Sequence, residues 1–351
     1  MASVKPPRER SVEDSSTSAS KALLLLSAIA GLGLYHLLQL DGIQQELRIL
    51  LAGLAATLTG SAEAKQALPH DKPEFGRDVS VFGVLAIVMF FINWGVRLAL
   101  VEPLVLQALN FKKSQLVKVS QSVMEVGFYG GFAIIGLAIV PSQTWIWPSK
   151  NWWIDNQTGS HLSMRSDLRC YYIMYCSRYF QAAVSVLLES KRKDFAEMML
   201  HHVVTIGVVY VSYFGGYNRV GVVVMALLDP ADVPLHLAKL CKYTAETTKR
   251  GIWQFVADRL FELFAVMFFI SRLVMYSYVC WSSHIEHQAY GEHTFTSYSC
   301  ITLLYTLLAL QMYWFGLIIK VAVKLARGQP GEDPRSEDEA EADESPRKKL
   351  Q

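Results

Sequence analysis

Long apolar segments recur along this chain of 351 residues, and they constrain its fold more than any other feature. An apolar helix needs roughly 20 residues to cross the hydrocarbon core of a bilayer. The segments that reach or approach this length are about residues 22–40, 79–101, 122–141, 168–188, 197–214, 219–240, 256–280 and 298–324. Only 18% of the residues are charged and 52% are hydrophobic, which is not typical of a soluble enzyme. We therefore predict an all-α integral membrane protein with about eight transmembrane helices.

The composition between these runs divides the chain into successive parts. Residues 1–21 are polar and mixed in charge, which predicts a cytosolic tail and not a cleavable signal. Residues 22–114 hold the N-terminal transmembrane helices and an amphipathic linker at 43–59, which is typical of a helix on the membrane surface. Residues 115–327 form the main helical domain. Residues 328–351 are acidic, and we expect them to form a disordered cytosolic tail.

Loop charge predicts the orientation, because the cytosolic loops of membrane proteins carry an excess of Lys and Arg. With a cytosolic N-terminus, the cytosolic loops hold nine basic residues, and the opposite loops 142–167, 215–218 and 281–297 hold two. The nine are Lys112, Lys113, Lys118, Lys191, Arg192, Lys193, Lys242, Lys249 and Arg250, and the two are Lys150 and Arg165. The long segment 41–78 departs from this pattern with four basic residues. Eight crossings then place both termini in the cytosol.

Short signals agree with this topology. Asn156 begins a glycosylation sequon in a predicted lumenal loop. Ser336 precedes an acidic run, as in phosphorylation sites of acid-directed kinases. Lys348 and Lys349 form a dilysine end, which requires a cytosolic C-terminus and is typical of proteins returned to the endoplasmic reticulum. We expect a multi-pass protein of that membrane.

Two adjacent histidines lie inside the fifth span. Ionisable side chains at membrane depth are costly unless they face a polar interior, so each is a functional candidate. His201 and His202 point about 100° apart on a helix, so one can face a cavity while the other contacts a neighbouring helix. Glu197 stands four residues before His201, where its carboxylate could orient the imidazole. The alternative is a pair that only packs and forms hydrogen bonds.

The sixth span carries a second group around two prolines. Asp229 and Asp232 share a helix face at i, i+3, and His236 follows Asp232 at i, i+4. Pro230 and Pro234 lack backbone donors and are expected to bend the helix. A broken helix with carboxylates at membrane depth is typical of a cavity wall, which favours catalysis or substrate binding. A structural kink with lysine-paired aspartates and an ion path are the alternatives.

Other polar side chains in the spans are expected to act mainly as interhelical partners. Those of the seventh span follow spacings of four and seven residues, which predicts one polar stripe. The stripe comprises Asp258, Glu262, Phe269, Arg272 and Tyr276, and similar partners are expected for Arg178, Gln181, Asn93 and Arg97.

The sequence shows no pattern for a metal site. No CxxC or HExxH motif occurs, and pairing of Cys280 with Cys300 stays open. His284, His287 and His293 share one predicted lumenal loop, but their spacing matches no standard metal site. We expect a solvated loop and no bound metal.

Residues 191–243 resemble the signature of the ceramide synthases, the longevity-assurance branch of the TLC-domain family. The resemblance rests on KRKDF, the histidine pair, an Arg-x-Gly after the short turn, the two aspartates and a following Leu-Ala-Lys. It extends over about residues 90–327. Leu228, Arg178 and Gln121 stand where many relatives carry histidine, an aromatic residue and glutamate.

The resemblance implies both a fold and an activity. Six helices would form a TLC-type bundle or barrel around a central acyl channel, with residues 115–327 as the catalytic domain. The activity would be N-acylation of a sphingoid base, of the sphinganine or phytosphingosine type, by fatty acyl-CoA. The catalytic candidates are then His201, His202, Asp229 and Asp232. A histidine would act as a base or would carry the acyl group as an acyl-imidazole.

The same resemblance extends to binding residues and partners. The substrate-binding candidates are Lys191, Arg192, Lys193, Glu197, Arg178, His236, Glu262 and Arg272. Acyl-CoA is a substrate, and no cofactor is expected. The expected partners are acyl-CoA, a sphingoid base, membrane lipids and a homo- or hetero-oligomer with related subunits, without nucleic acid. The far end of the channel would approach the loop 281–297, which in this family is linked to chain-length choice.

Two other classes of protein compete with this interpretation. A non-enzymatic TLC-like lipid sensor or chaperone would keep the fold without needing both the histidines and the aspartates. A membrane transporter could use paired aspartates to carry ions, but it predicts an internal repeat, and the sequence shows none.

Overall fold

The computed structural model describes residues 28–60, 65, 67–108, 111, 113–154, 160–188 and 193–327, and most of these are helical. The α-helices in these ranges are α1 (Ala28–Leu38), α2 (Ile43–Thr59), α3 (Phe75–Phe90), α4 (Glu102–Ala108), α5 (Lys113–Ile139), α6 (Ser166–Leu188), α7 (Phe195–Phe214), α8 (Asn218–Leu228), α9 (Asp232–Thr248), α10 (Gly251–Phe268), α11 (Tyr276–His284) and α12 (Phe295–Ala326). Wider π-helical turns at Phe91–Val101 and Phe269–Met275 join α3 to α4 and α10 to α11. Strands β1 (His70–Asp71) and β2 (Met164–Arg165) pair antiparallel, with His70 opposite Arg165.

Within the described residues, six helical segments are long and apolar enough to cross a membrane. They are Phe75–Gln107, Gln115–Ser142, Phe195–Phe214, Asn218–Thr248, Gly251–Ala289 and Phe295–Leu325, and each overlaps one predicted span. The first predicted span is described only from residue 28, as the shorter helix α1. The fourth, residues 168–188, is helical but falls outside this apolar set. The all-α membrane fold is confirmed, and the number of eight crossings stays a prediction.

Helix α6 is one of the less apolar long helices, and the protein itself covers it. It packs against α2, α3 and α7. Arg169, Tyr171 and Tyr172 on this helix are at most 1% exposed. Polar side chains are tolerated in such a helix when they find partners on the surrounding helices.

Helix α2 coincides with the amphipathic segment predicted at residues 43–59. Its buried face packs on α6: Glu46 pairs with Arg169 at 2.8 Å, and the Thr57 hydroxyl donates to Asp167 at 2.7 Å. Gly53 allows the close approach, because a Cβ there would collide with the Ser166 side chain. The apolar face of α2 therefore rests on protein, and its place at the membrane surface stays a prediction.

A tight turn joins α7 and α8, as the few intervening residues predict. Gly216 in this turn has φ 80°, a left-handed conformation that favours glycine. Helix α8 ends at Leu228, and a 3₁₀ turn over Asp229–Ala231 separates it from α9. The break predicted from Pro230 is confirmed, and it places two carboxylates at a discontinuity inside the bundle.

The polar stripe predicted on α10 and α11 is wrong in part. Glu262 and Phe269 are exposed, whereas Arg272 and Tyr276 are buried. The prediction assumed 100° per residue, but the π-helical turn Phe269–Met275 holds more residues per turn and rotates the later side chains onto another face. The buried face runs through Phe264, Phe268, Arg272 and Tyr276.

Candidate active site

The histidine pair lies in the first two turns of α7. His202 is 6% exposed, while His201 is half-buried and lines a cavity between the helices. Their ring centroids are 5.5 Å apart, so the two imidazoles face different surroundings, as expected for adjacent helix positions. Among the described residues, neither Nδ1 atom has a hydrogen-bond partner. An imidazole nitrogen that is buried without a partner is unusual and points to a functional role.

Two tyrosines of α6 connect the histidines to Asp229. The Tyr179 ring centroid lies 5.9 Å from each of the two imidazole centroids. The Tyr175 hydroxyl donates to Asp229 Oδ1 at 3.1 Å, and the Tyr179 hydroxyl lies 3.5 Å from the same oxygen. The two hydroxyls are 3.2 Å apart. The two hydroxyls therefore lie against the carboxylate of Asp229, while the Tyr179 ring contacts both histidines.

Asp232 forms an ion pair with Arg272 across the break between α8 and α9. The same guanidinium donates to the carbonyl oxygen of Leu228 at 3.0 Å and to Gln311 at 3.0 Å. The Leu228 carbonyl sits where the helix is interrupted, so Arg272 satisfies a backbone acceptor as well as a carboxylate. Asp229 and Asp232 thus have different partners although they lie three residues apart: Asp229 accepts from Tyr175, whereas Asp232 pairs with Arg272.

A cavity lies beside this polar cluster, between α7, α8 and α12. His201, Tyr175 and Tyr179 lie at one end, and the middle is lined by aliphatic side chains such as Val208 and Val224. The lining beyond the first turn is apolar enough for a hydrocarbon chain.

Trp153 and His287 close the other end of the cavity. Their ring centroids lie 4.8 Å apart, and both side chains are at most 4% exposed. The expectation of a solvated histidine loop is therefore wrong for His287, whose Nδ1 lies 3.1 Å from Nδ1 of His293. The sequence could not predict this, because the burial of His287 depends on Trp153 and on Tyr217, which come from other parts of the chain.

A polar network behind the histidines includes Arg178. Its guanidinium donates to Glu125 at 2.6 Å and to Gln181 at 2.8 Å, and it lies over the Phe128 ring. Gln181 in turn donates to Ser185 at 2.7 Å. The interhelical partner expected for Arg178 is confirmed in Glu125, whereas the hydrogen bonds of Gln181 go to Arg178 and Ser185 on its own helix α6.

The interhelical partner expected for Asn93 is confirmed, since its side chain lies 3.3 Å from Ser185 on α6. Arg97 instead pairs at 3.7 Å with Glu102 of its own helical segment, Phe75–Gln107. His236 stacks on Tyr129 with 5.6 Å between ring centroids. His236 therefore extends the aromatic and polar surroundings of Asp232 along α9.

Several predicted site residues do not join the cluster. In the described part of the chain, Glu197 forms no hydrogen bond or ion pair with His201. Glu197 is half-buried in the first turn of α7. Glu262 pairs with Arg259 on the outer face of α10, at 2.5 Å with both side chains more than half exposed. Lys193 is exposed at the start of α7. Outside the described residues lie Lys191, Arg192, Asn156 and Ser336.

Tyr175, Tyr179 and Trp153 are candidates that the sequence alone did not indicate. The two tyrosines lie four residues apart on α6, so they share one face. That spacing is a signal, but an aromatic pair at helical spacing is also common in ordinary packing. Only their contact with Asp229, in the turn between α8 and α9, distinguishes these two tyrosines from an aromatic pair that merely packs.

Comparison with known proteins agrees with the arrangement. The TLC domain family model matches residues 118–320, more than half of the chain. ASC1-like protein 3 of Oryza sativa subsp. japonica is 31% identical over 239 residues, which cover 66% of this chain and 81% of that protein. Ceramide synthase LOH2 of Arabidopsis thaliana is 30% identical, with 66% and 78% covered. Human ceramide synthase 5 is 32% identical, with 66% and 57% covered. The chain therefore belongs to the TLC-domain family and, within it, to the ceramide synthases.

Proposed function

We propose that this protein transfers a fatty acyl group from acyl-CoA to the amino group of a sphingoid base, of the sphinganine or phytosphingosine type. Membership of the ceramide synthases makes the chain an acyltransferase, and relatives from Arabidopsis thaliana and human are named for this product. The observation that best supports the proposal is the cluster of His201, Tyr179 and Asp229 at one end of an apolar cavity. Such a cavity suits the acyl chain of the donor, and the cluster suits its thioester.

His201 is the better candidate for the first chemical step, because it lines the cavity and His202 does not. A neutral imidazole nitrogen attacks the thioester carbonyl, the carbon–sulfur bond breaks, and CoA leaves as the thiol after taking up the imidazole proton. The acyl group then rests on His201 with its chain in the cavity. His202 does not line the cavity, and in this proposal it orients the His201 imidazole or accepts a proton.

In the second step the amine of the sphingoid base attacks the acyl-imidazole. An aliphatic amine with a pKa of about 10 is mostly protonated at neutral pH, so it must lose a proton before it attacks. Asp229, held by Tyr175 at 3.1 Å, is placed to accept that proton or to bind the ammonium group. The amide forms, the imidazole is released, and the acyl-CoA and amine have become ceramide and CoA. In the alternative route a histidine acts only as the base, and the amine attacks the thioester directly.

The residues around the cluster have supporting roles in the proposed reaction. Arg272 with Asp232 holds the broken helix in position. Lys193 is exposed near the start of α7, and with Lys191 and Arg192 it would meet the phosphates of CoA from the cytosol. Acyl-CoA acts as a substrate, and the chemistry needs no metal or cofactor. Residence in the endoplasmic reticulum membrane, with both termini in the cytosol, is part of the same proposal.

The covalent route is tested with purified protein and a long-chain acyl-CoA in the absence of any amine. After an acid quench, intact-mass measurement should show a single acyl adduct on the wild type and none on His201→Ala. His202→Ala should retain part of the adduct. His284→Ala is the matched control, because it also removes a histidine but not one that lines the cavity.

Two negative outcomes have different meanings. Turnover of acyl-CoA and sphingoid base without any adduct would show that the amine attacks directly, with the histidine as base. Failure to form an N-acyl product from any sphingoid base and any acyl-CoA, by protein that is folded, would contradict the proposed function as a whole.

A further inference from the structure

We infer that Trp153 forms the floor of the acyl cavity and sets the longest acyl chain that this protein accepts. The inference rests on the proposed function, since it assigns the apolar cavity to the acyl group of acyl-CoA. It goes beyond the loop 281–297, because Trp153 belongs to a different segment, between α5 and α6.

The position of Trp153 is opposite the reacting end. His201 and Ser212 of α7 line the cavity, and so does Trp153. The carbonyl of Ser212 accepts from the backbone N–H of Tyr217, whose ring contacts His287 beside Trp153. With a rise of 1.5 Å per residue, the helix places Ser212 about 16 Å beyond His201. A chain held at His201 and extended along α7 therefore reaches the Trp153 end after on the order of a dozen carbons, at about 1.25 Å per carbon for tetrahedral bonds of 1.5 Å.

The Trp153 indole is fixed and cannot swing aside easily. It is 2% exposed, and its Nε1 donates to Ser282 at 2.9 Å. The Ser282 hydroxyl donates to Glu286 at 2.6 Å. Ser149, in the same loop as Trp153, donates to Glu286 at 3.1 Å, so the two loops hold one another. A floor built this way resists a chain that is too long, because lengthening the cavity would break these contacts.

The Trp153 indole contributes its large size to the floor of the cavity. His287 and Tyr217 complete it, with 4.8 Å between the rings of Trp153 and His287 and 5.8 Å between those of Tyr217 and His287. Trp153 is the largest of the three side chains. Its removal opens space along the axis of the cavity, where additional methylene groups of a longer chain would be buried.

The test uses full-length protein in microsomes or detergent, one sphingoid base and a series of saturated acyl-CoA donors of increasing length. Trp153→Ala should extend the longest accepted chain by about two carbons or more, and it should raise kcat/KM for those donors about tenfold or more. Trp153→Phe, which keeps an aromatic floor, should stay near the wild-type length profile. Cys300→Phe, which fills the cavity from α12, should shorten the profile.

Trp152→Ala is the matched control. Trp152 is 5% exposed in the same loop, and its indole donates to the carbonyl of Ile146, but it does not line the cavity. It should leave the length profile unchanged. If Trp153→Ala does not accumulate, Trp153→Leu replaces it.

Each outcome separates the inference from the proposed function. An active Trp153→Ala or Trp153→Leu variant with the wild-type length profile would overturn the role of Trp153. The same profile change in Trp152→Ala would also overturn it, because a general disturbance of the loop would then be the cause. A wild type that makes no N-acyl product would instead contradict the proposed function.

Discussion

At the scale of single residues, the site depends on buried polar groups, only some of which have hydrogen-bond partners among the described residues. Asp229 is 2% exposed and receives its hydrogen bond from Tyr175. Tyr171, one turn earlier on the same helix, is equally buried, but its hydroxyl has no hydrogen-bond partner among the described residues. Of Tyr171 and Tyr175, only Tyr175 therefore has a hydrogen bond with Asp229.

Replacing these two tyrosines separates a functional hydroxyl from a structural ring. We expect Tyr175→Phe to lower kcat about 10- to 100-fold, because a hydrogen bond to a charged group is worth about 1.5–3 kcal/mol. Tyr171→Phe, the control, should be nearly neutral in kcat and in thermal stability, since it removes an unpaired hydroxyl. Equal loss of kcat in the two variants would contradict the role of Tyr175. The measurement is single-turnover kinetics of purified protein.

At the scale of helices, the break between α8 and α9 is held from outside by α10 and α11. Arg272, in the π-helical turn between them, contacts Asp232 and the carbonyl oxygen of Leu228. Wider turns of this kind often occur at functional sites, because they re-aim one side chain without ending the helix. The π-helical turn is therefore the element that brings Arg272 to the carboxylate.

The Arg272–Asp232 pair should matter far more for folding than an exposed pair on the same helix. The side chains are 9% and 14% exposed, so Arg272→Met leaves a nearly buried carboxylate without its partner, at a cost of about 3–5 kcal/mol. Arg259→Met is the control, because Arg259 and Glu262 are 57% and 54% exposed, and such pairs contribute about 0–1 kcal/mol. Thermal unfolding in detergent measures both.

A double variant makes this prediction sharper. Adding Asp232→Leu to Arg272→Met removes the stranded charge, so thermal stability should partly recover while activity should not. No difference in stability between Arg272→Met and Arg259→Met would show that the buried pair does not hold the broken helix.

At the scale of the whole molecule, contacts between distant loops divide the bundle into two ends. Strands β1 and β2 pair across 94 positions of sequence, from His70 to Arg165. Arg219, at the turn between α7 and α8, donates to the carbonyl of Asn151. At the opposite end Gln115 donates to Glu246. These contacts place His70, Asn151, Arg165 and Arg219 at one end of the bundle, and Gln115 and Glu246 at the other.

The topology itself is tested with an epitope at the C-terminus. In cells whose plasma membrane alone is permeabilised, the epitope should be accessible to antibody. Asn156→Gln should remove a glycan that endoglycosidase also removes from the wild type, because residue 156 is predicted to be lumenal. A protected C-terminal epitope together with an unglycosylated Asn156 would require the opposite orientation.

Much of the fold followed from local pattern. Length and apolarity predicted the spans that match α3, α5 and α7, and the short Gly-rich turn predicted the hairpin after α7. These features follow from the apolarity that lipid requires and from the backbone conformations that each residue favours, and both are local properties of the sequence. Helix α6 is predicted as a span, but its central place is not, since the helices that cover it come from segments far apart in the chain.

The sequence by itself determined the family, the candidate histidines and aspartates, and the helix break at Pro230. The tertiary structure decided which of them meet. It brought Tyr175 and Tyr179 to Asp229, turned Arg272 toward Asp232, left Glu262 on the outside, and placed Trp153 and His287 at the far end of the cavity. These outcomes depend on helix rotation, on a π-helical turn and on contacts between segments far apart in the chain. Periodicity within one helix specifies none of these.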